Sequence, residues 1–256
     1  MNEMLFSLGL IALLTSMLSA VTGVGGGVLL LSGLTLYLPP QAIVPIHGVI
    51  QTWSCGVRLA LFWQQVHWRL IPPFLFGMAP GAALGGFILH EISVINPSWM
   101  LIFIAIVILG SVVGLRTNPN SEPSTPKYNG LRTLGFVCGC LSVLAGSTGP
   151  LVSTALLKRH IMKEAHVATK AFLQGMTHLI KIPIYAYVVD FEFAQYFPEL
   201  AVMVAFVVAG TRLGKGLLRF VPVEVFSKGL RVLLFLAATR ILLREIPLLL
   251  VNGGSY

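Results

Sequence analysis

The stretch "AVTGVGGGVLLL", residues 20–31, places four glycines inside an otherwise apolar segment. Glycine is unfavourable in the interior of a helix and readily adopts turn conformations that other residues avoid. The cluster therefore predicts that one helix ends near Gly23 and that another begins near Gly26. This break needs a reason, because the flanking residues are apolar enough to continue a single helix.

The composition is that of a membrane protein. Of 256 residues, 56% are hydrophobic and only 10% are charged, and the mean hydropathy is +0.87. Apolar runs of about 20 residues, the length that crosses a bilayer, recur along the chain and leave no room for a large soluble domain. The net charge of +8 comes from scattered basic residues rather than from a basic and aromatic patch, so nucleic-acid binding is not expected.

Hydropathy and its interruptions predict eight apolar segments. They cover residues 4–37, 41–66, 71–90, 98–116, 131–157, 164–189, 197–219 and 226–250. The polar stretch "RTNPNSEPSTPKYNG" (116–130) is rich in Pro, Ser and Asn and divides the chain near its middle. We predict an all-α, polytopic membrane protein with a first repeat (1–116), a cytoplasmic linker (117–130) and a second repeat (131–256).

The two halves match one another at a single offset. "LSAVTGVGGGV" (18–28) lies over "LSVLAGSTGPL" (141–151), an offset of 123 residues. The same offset pairs Gly23 with Gly146, Gly26 with Gly149, Gln51 with Gln174, and Arg58 with Lys181. After a shift of six residues, "GAALGG" (81–86) lies over "GTRLGK" (210–215). An offset that holds through polar positions indicates an internal repeat.

The distribution of Lys and Arg indicates how the repeats are oriented, because basic links favour the cytoplasm. The basic links contain Arg69; Arg116, Lys127 and Arg132; Lys158, Arg159 and Lys163; and Arg219, Lys228 and Arg231. Both ends of residues 134–157 are basic, which predicts a re-entrant hairpin broken near Gly146; the equivalent segment, 4–37, then enters from the outside. The repeats are therefore predicted to be inverted, each a broken hairpin plus about three transmembrane helices. Arg240 and Arg244 do not fit this scheme.

Two polar stripes lie at equivalent places in the two halves. One contains Lys170, Gln174, His178 and Lys181, and the other contains His47, Gln51, Ser54 with Cys55, and Arg58. Their spacing places each set on one face of a helix, which favours two walls of one polar cavity. In an alternative interpretation, Lys170 and Arg58 extend to the membrane surface while the Gln and His side chains join helices.

The chemistry of the stripes favours an anion as ligand. They carry amide, imidazole and cationic groups, and neither contains Asp or Glu. Half-helix N-termini at the glycine breaks would add backbone N–H donors, and Ser19, Thr22, Ser147 and Thr148 would add hydroxyls. His47 and His178 could couple transport to protons. The predicted substrate-binding residues are Thr22, Gly23, Gly26, Gln51, Arg58, Gly146, Ser147, Thr148, Gly149, Lys170, Gln174, His178 and Lys181.

The glycines also have a simpler interpretation, in which small residues allow close packing of membrane helices. This interpretation suits the small-xxx-small spacings of Gly81–Gly85 and Gly210–Gly214 better than a ligand site does. At the breaks it competes with the anion site.

Other classes of function have little support in the sequence. No phosphate-binding loop, catalytic triad or metal-binding spacing is present, and we predict neither catalysis nor a cofactor or metal. The alternatives that stay open are a membrane enzyme using His178 as base and Ser147 or Cys55 as nucleophile, an anion channel, and a metal permease, the last disfavoured by the missing intramembrane carboxylates.

The sequence resembles the TauE/SafE family of membrane permeases, the sulfite exporters, along essentially its whole length. The resemblance is carried by "TGVGGGVLLLSGLTLYLPP" (22–40), "VHWRLIPPFLFGMAPGAALGG" (66–86), "GSTGPLVSTALL" (146–157) and "ATKAFLQGMTHLIK" (168–181). It departs from the common family pattern at Ser147, Thr148 and Pro150 and at residues 47–50, beside the predicted site.

The resemblance implies secondary transport of small sulfur-containing anions such as sulfite, thiosulfate or organosulfonates. We therefore expect a multi-pass protein of the cell inner membrane that works by alternating access of its two halves. The expected partners are the anion, protons as a coupling ion and the lipid bilayer, and a homodimer is one option for the assembly.

Overall fold

The computed structural model describes residues 2–22, 25–93, 130–157 and 163–217, together with single positions at 106, 159, 161, 235, 239, 242 and 243. Apart from those single positions, the predicted segments 98–116 and 226–250, Gly23, and nearly all of the linker lie outside the described residues. Within them the chain is all α-helix and short 3₁₀ turns, and no described residue lies in a strand. The all-α prediction is confirmed for this part of the chain.

Eight helices form the described structure. They are α1 (Asn2–Thr22), α2 (Gly26–Leu34), α3 (Pro40–Phe62), α4 (Ile71–Ser93), α5 (Leu131–Ala145), α6 (Gly149–Leu157), α7 (Lys163–Val188) and α8 (Phe197–Leu217). Short 3₁₀ turns cover Trp63–Gln65, Trp68–Leu70 and Phe193–Tyr196. The six predicted apolar segments that fall on described residues are therefore helical.

Two of those segments are broken helices, as the glycine clusters predict. In the first half, α2 is capped by Gly25 at φ 88°. In the second half, α5 ends at Gly146, which has φ 81° and donates its N–H to the Ser142 carbonyl. Residues with side chains rarely adopt these positive φ values, so glycine is needed at both positions. The first arms differ in length, because α1 has 21 residues and α5 has 15.

The burial pattern is the reverse of that of a soluble protein. On α1, Phe6, Leu10 and Leu14 are exposed along one face, whereas histidine, glutamine, lysine and arginine side chains are buried inside the bundle. Three stretches of the described chain are long and apolar enough to cross a membrane: Glu3–Val21, Trp68–Glu91 and Phe193–Gly216. α3 and α7 are as long, but their polar stripes lower their hydropathy.

Glycines hold two pairs of helices in close contact, α4 with α5 and α1 with α8. A Cβ added at Gly81 would lie 2.0 Å from the Phe136 carbonyl oxygen, and one at Gly210 would lie 2.3 Å from that of Leu13. Neither position has space for a side chain. The packing interpretation of these small-xxx-small motifs is confirmed.

The centre of the bundle is the contact between α3 and α7, the two helices that carry the polar stripes. α2 packs on α3, and α6 packs on α7. Both helix breaks therefore lie beside the α3–α7 contact.

Candidate functional site

The two polar stripes face one another inside the protein. His47, Gln51, Ser54 and Arg58 on α3, and Lys170, Gln174, Thr177, His178 and Lys181 on α7, are all at most 5% exposed. The rings of His47 and His178 make an edge-to-face contact with centroids 5.3 Å apart. The alternative in which Arg58 and Lys170 extend to the membrane surface is wrong, because both side chains are buried within the bundle.

Each stripe presents a glutamine to the first turn of a short helix. The Gln51 side-chain nitrogen lies 2.9 Å from the point where a Cβ at Gly27 would stand, and that of Gln174 lies 3.0 Å from the point where a Cβ at Gly149 would stand. The first N–H groups of a helix have no partner within it and carry a partial positive charge. The glutamines therefore lie beside two ready sources of backbone donors.

The two helix breaks lie next to each other. The Ser147 hydroxyl oxygen, from the break between α5 and α6, is 3.4 Å from the Cβ position at Gly27, in the first turn of α2. The sequence predicts both breaks, but their proximity depends on how α3 and α7 pack.

A chain of hydrogen bonds joins the breaks through Lys181 and His47. The Lys181 ammonium donates to the Gly146 carbonyl (2.8 Å) and to His47 Nδ1 (3.3 Å). Nδ1 must then be the acceptor, so the proton of the neutral ring lies on Nε2, which donates to the Gly27 carbonyl (2.8 Å). This chain, which we call the Lys181–His47 bridge, connects backbone atoms of both halves.

Within the described residues, the hydrogen bonds of Arg58, the equivalent of Lys181 in the first half, stay inside its own half. Its guanidinium donates to the Ser19 hydroxyl (2.7 Å), the Ser54 carbonyl (3.1 Å), the Ser54 hydroxyl (3.4 Å) and the Cys55 sulfur (3.2 Å). These bonds tie α3 to α1 just before the first break.

Three polar atoms at the centre have no hydrogen-bond partner within the described structure. They are the hydroxyl oxygens of Ser147 and Thr148 and Nδ1 of His178, and all three side chains are at most 2% exposed. A buried polar atom without a partner costs roughly 1–3 kcal/mol. Their position between two helix breaks makes them candidate contacts for a bound anion or water.

The charge at the centre is positive. Lys170 Nζ lies 3.5 Å from the Cβ position at Gly149, and Arg58 and Lys181 are buried nearby. None of the buried side chains in the described ranges is Asp or Glu, and no three His, Cys, Asp or Glu side chains there could hold a metal ion together. Buried cations without carboxylates would be compensated by an anionic ligand.

A second polar cluster, which the sequence analysis missed, lies around His166, on the N-terminal side of Lys170. His166 Nδ1 donates to the Ile161 carbonyl (3.3 Å), and its Nε2 accepts from the Ser153 hydroxyl (3.0 Å). The Thr169 hydroxyl accepts from the backbone N–H of His67 (3.0 Å). His166 stands one helical turn before Lys170, so a longer stripe on α7 would have included it.

The structure brings most of the predicted site residues together. Gly26 and Gly149 begin the two short helices, Gly146 ends α5, and Gln51, Ser147, Gln174, His178 and Lys181 surround the breaks. Thr148 is buried beside the Cys138 thiol. Thr22 is the last residue of α1; its side chain and all of Gly23 lie outside the described residues.

The enzymatic alternative finds no catalytic pair in this arrangement. The Ser147 hydroxyl has no hydrogen-bonded base among the described residues, and the Cys55 sulfur accepts from Arg58. The serine that does meet a histidine is Ser153, in the second polar cluster.

Comparison with known proteins supports membrane transport. The chain is 28% identical over 223 residues to the "Probable inner membrane transporter protein TsaS" of Comamonas testosteroni, which covers 83% of this chain and 85% of the relative. No solved structure matches the chain. The family described as sulfite exporter TauE/SafE matches residues 8–241, and the chain therefore belongs to this family of membrane transporters.

Proposed function

We propose that the protein is a secondary transporter of small sulfur-containing anions, such as sulfite, thiosulfate or an organosulfonate, in the cell inner membrane. The observation that carries this proposal is the meeting of two helix breaks at a buried, cationic centre, where none of the described buried side chains is a carboxylate. The family description and the relative from Comamonas testosteroni support the same class of activity.

The anion would bind between the two breaks. The N–H groups at the start of α2 and α6 and the amides of Gln51 and Gln174 would donate to its oxygens, because tetrahedral and pyramidal oxyanions accept several hydrogen bonds at once. The hydroxyl of Ser147, which has no partner among the described residues, would add a further donor. His178 and His47 are the groups we propose for proton coupling.

Transport would proceed by alternating access of two inverted repeats, residues 1–116 and 131–256, joined by the linker 117–130. Equivalent helix contacts support this symmetry. Gly81 meets Phe136, and Gly210 meets Leu13. The repeat pairs Gly81 with Gly210 and Leu13 with Phe136, so it relates one contact to the other. The pairs Gly85 with Cys140 and Gly214 with Met17 are related in the same way.

The proposal is tested by anion flux in proteoliposomes. We expect Gln174→Ala to reduce the uptake of labelled sulfite and thiosulfate about tenfold or more, since each lost charge-assisted donor costs roughly 1.5–3 kcal/mol. Gln65→Ala is a matched control, because Gln65 is exposed on a 3₁₀ turn outside the site. Normal saturable flux in folded Gln174→Ala protein would overturn the site, and failure of the parent protein to transport any sulfur oxyanion would overturn the substrate class.

A further inference from the structure

The two sides of the centre differ in polarity although they occupy equivalent positions in the two halves. The offset of 123 residues pairs Ser153 with Leu30, His166 with Ile43, and Thr169 with Ile46. All six side chains are at most 5% exposed. The second-half residues therefore form a buried polar cluster. The first-half residues Leu30, Ile43 and Ile46 are buried and apolar, and we call them the apolar plug.

The polar cluster connects the centre with an open pocket. The pocket, of about 530 Å³, lies between the turn after α3 and the link after α6, and is lined by Val66, His67, Trp68, Arg69, Leu70, Arg159 and Ile161. Ile161 and His67 are also the residues whose backbone atoms bond to His166 and Thr169. The hydrogen-bonded partners of the cluster thus form part of the pocket wall.

The connection continues inward to the break between α5 and α6. Ser153 lies one helical turn after Gly149 on α6, and His166 lies one turn before Lys170 on α7. Lys170 Nζ in turn approaches the Cβ position at Gly149 to 3.5 Å. Polar groups therefore succeed one another from the pocket to the helix break.

The charge of the pocket matches an anion. Arg69 and Arg159 line it from different halves of the chain, and none of its lining residues is acidic. Arg159 is held in place by a bond from its guanidinium to the Ala155 carbonyl (2.8 Å). A cationic mouth raises the local concentration of anions.

We propose that Ser153, His166 and Thr169 line the access route by which a small oxyanion moves between this pocket and the central site, on the side of the membrane where Arg69 and Arg159 lie. This proposal rests on the proposed function. Leu30, Ile43 and Ile46 close the opposite side in this conformation, because an anion crossing an apolar plug would lose its hydration without gaining hydrogen bonds.

The route is tested by cysteine labelling, which needs no transport. In a background with Cys55→Ser, Cys138→Ala and Cys140→Ala, single cysteines are introduced by Ser153→Cys and Thr169→Cys on the polar side. Leu30→Cys and Ile46→Cys are matched controls at equivalent positions, and all four parent side chains are at most 2% exposed. The reagents are impermeant anionic and cationic methanethiosulfonates, applied to inside-out and right-side-out vesicles.

We expect the two polar-side cysteines to react about tenfold faster than the controls, since the labelling rate of a thiol follows its access and its thiolate fraction. The anionic reagent should outpace the cationic one, and labelling should come from the side that carries Arg69. Equal rates at all four positions, or faster labelling at residues 30 and 46, would overturn the route. Size-exclusion profiles identify the folded variants. Because each side carries two single-cysteine variants, the comparison can still be made if one of them fails to fold.

An organosulfonate separates the route from the proposed function, since sulfite and thiosulfate would themselves attack the methanethiosulfonate reagents. Slower labelling of Ser153→Cys in its presence supports both. Fast labelling that organosulfonates leave unchanged, in a protein that also moves no labelled sulfite or thiosulfate in proteoliposomes, would support the route and contradict the proposed substrates.

Discussion

Arg58 and Lys181 occupy equivalent positions in the two halves, yet they differ in whether their hydrogen bonds cross from one half to the other. Arg58 bonds to Ser19, Ser54 and Cys55 of its own half. Lys181 bonds to Gly146 of its own half and to His47 of the other. One cation therefore fixes a helix pair, and the other links the two halves at the site.

The helix breaks differ in the same sense. The first is built from glycines, with Gly25 as the cap of α2. The second contains Ser147, whose hydroxyl has no partner among the described residues. The buried hydroxyl and imidazole groups at the centre that lack a partner among the described residues therefore belong to the second half.

Removing Arg58 should have the largest effect on folding. Arg58→Ala leaves the Ser19 and Ser54 groups without their donor and opens a cavity, so the free energy of unfolding should fall by about 3 kcal/mol. Thermal unfolding in detergent measures the loss. Arg69→Ala, which removes an exposed arginine, is the control and should stay within about 0.5 kcal/mol of the parent. Equal stability of the two variants would contradict the conclusion that Arg58 stabilises the fold.

The two glycines that begin the short helices should respond differently to alanine. A Cβ at Gly26 would lie 2.2 Å from the Thr15 carbonyl oxygen, whereas one at Gly149 would lie 3.0 Å from the amide at the end of the Gln174 side chain, which has rotatable bonds. We expect Gly26→Ala to destabilise the fold by about 2 kcal/mol and Gly149→Ala by less than about 1 kcal/mol. Calorimetry of both variants decides the order, and the reverse order would contradict the contrast between the two breaks.

Breaking the Lys181–His47 bridge should impair transport more than stability. Lys181→Met keeps the length of the side chain but removes both donated bonds, and flux should fall about tenfold, which corresponds to roughly 1.4 kcal/mol. A double-mutant cycle of transport rates with His47→Ala, measured in proteoliposomes, should give a coupling energy of about 0.5–3 kcal/mol. Additive effects of the two substitutions would show that the bridge is not a functional unit.

Ser147→Ala should give the smallest change in stability and the most selective change in transport. Because the hydroxyl has no partner in the described structure, its loss should leave the melting temperature unchanged or slightly raised. The KM for the transported anion should rise about tenfold through loss of one hydrogen bond to a charged ligand, roughly 1.5–3 kcal/mol. A fall in melting temperature with unchanged KM would reassign Ser147 from the ligand to the framework.

Much of this site could be predicted from the sequence because it follows local rules. Glycine clusters predict helix breaks, and the spacing of Gln174, His178 and Lys181 places them on one helix face. The bridge could not be predicted, since its bonds join residues 134 positions apart and depend on the packing of α3 against α7. The burial of Arg58 was likewise open, because a long cationic side chain near a helix end can turn to either the interior or the membrane surface.

His166 and Ser153 were missed for a different reason. Each lies one turn beyond the residues that the repeat brings into register, and their counterparts in the first half are Ile43 and Leu30. A search for polar positions shared by both halves cannot find features that only one half possesses. These unmatched positions make one side of the centre polar and the other apolar.

The glycine-lined contacts have a consequence for how the chain is made. α1 packs along α8, and α4 packs along α5, so each half lacks the partners of two of its own helices. During synthesis at the usual rate of about 5–20 residues per second, α1 must wait roughly 10–40 s before α8 emerges. For that time its glycine-contacting face has only lipid, the insertion machinery or a chaperone to cover it. The two halves are therefore expected to mature as one unit, and neither should fold when expressed alone.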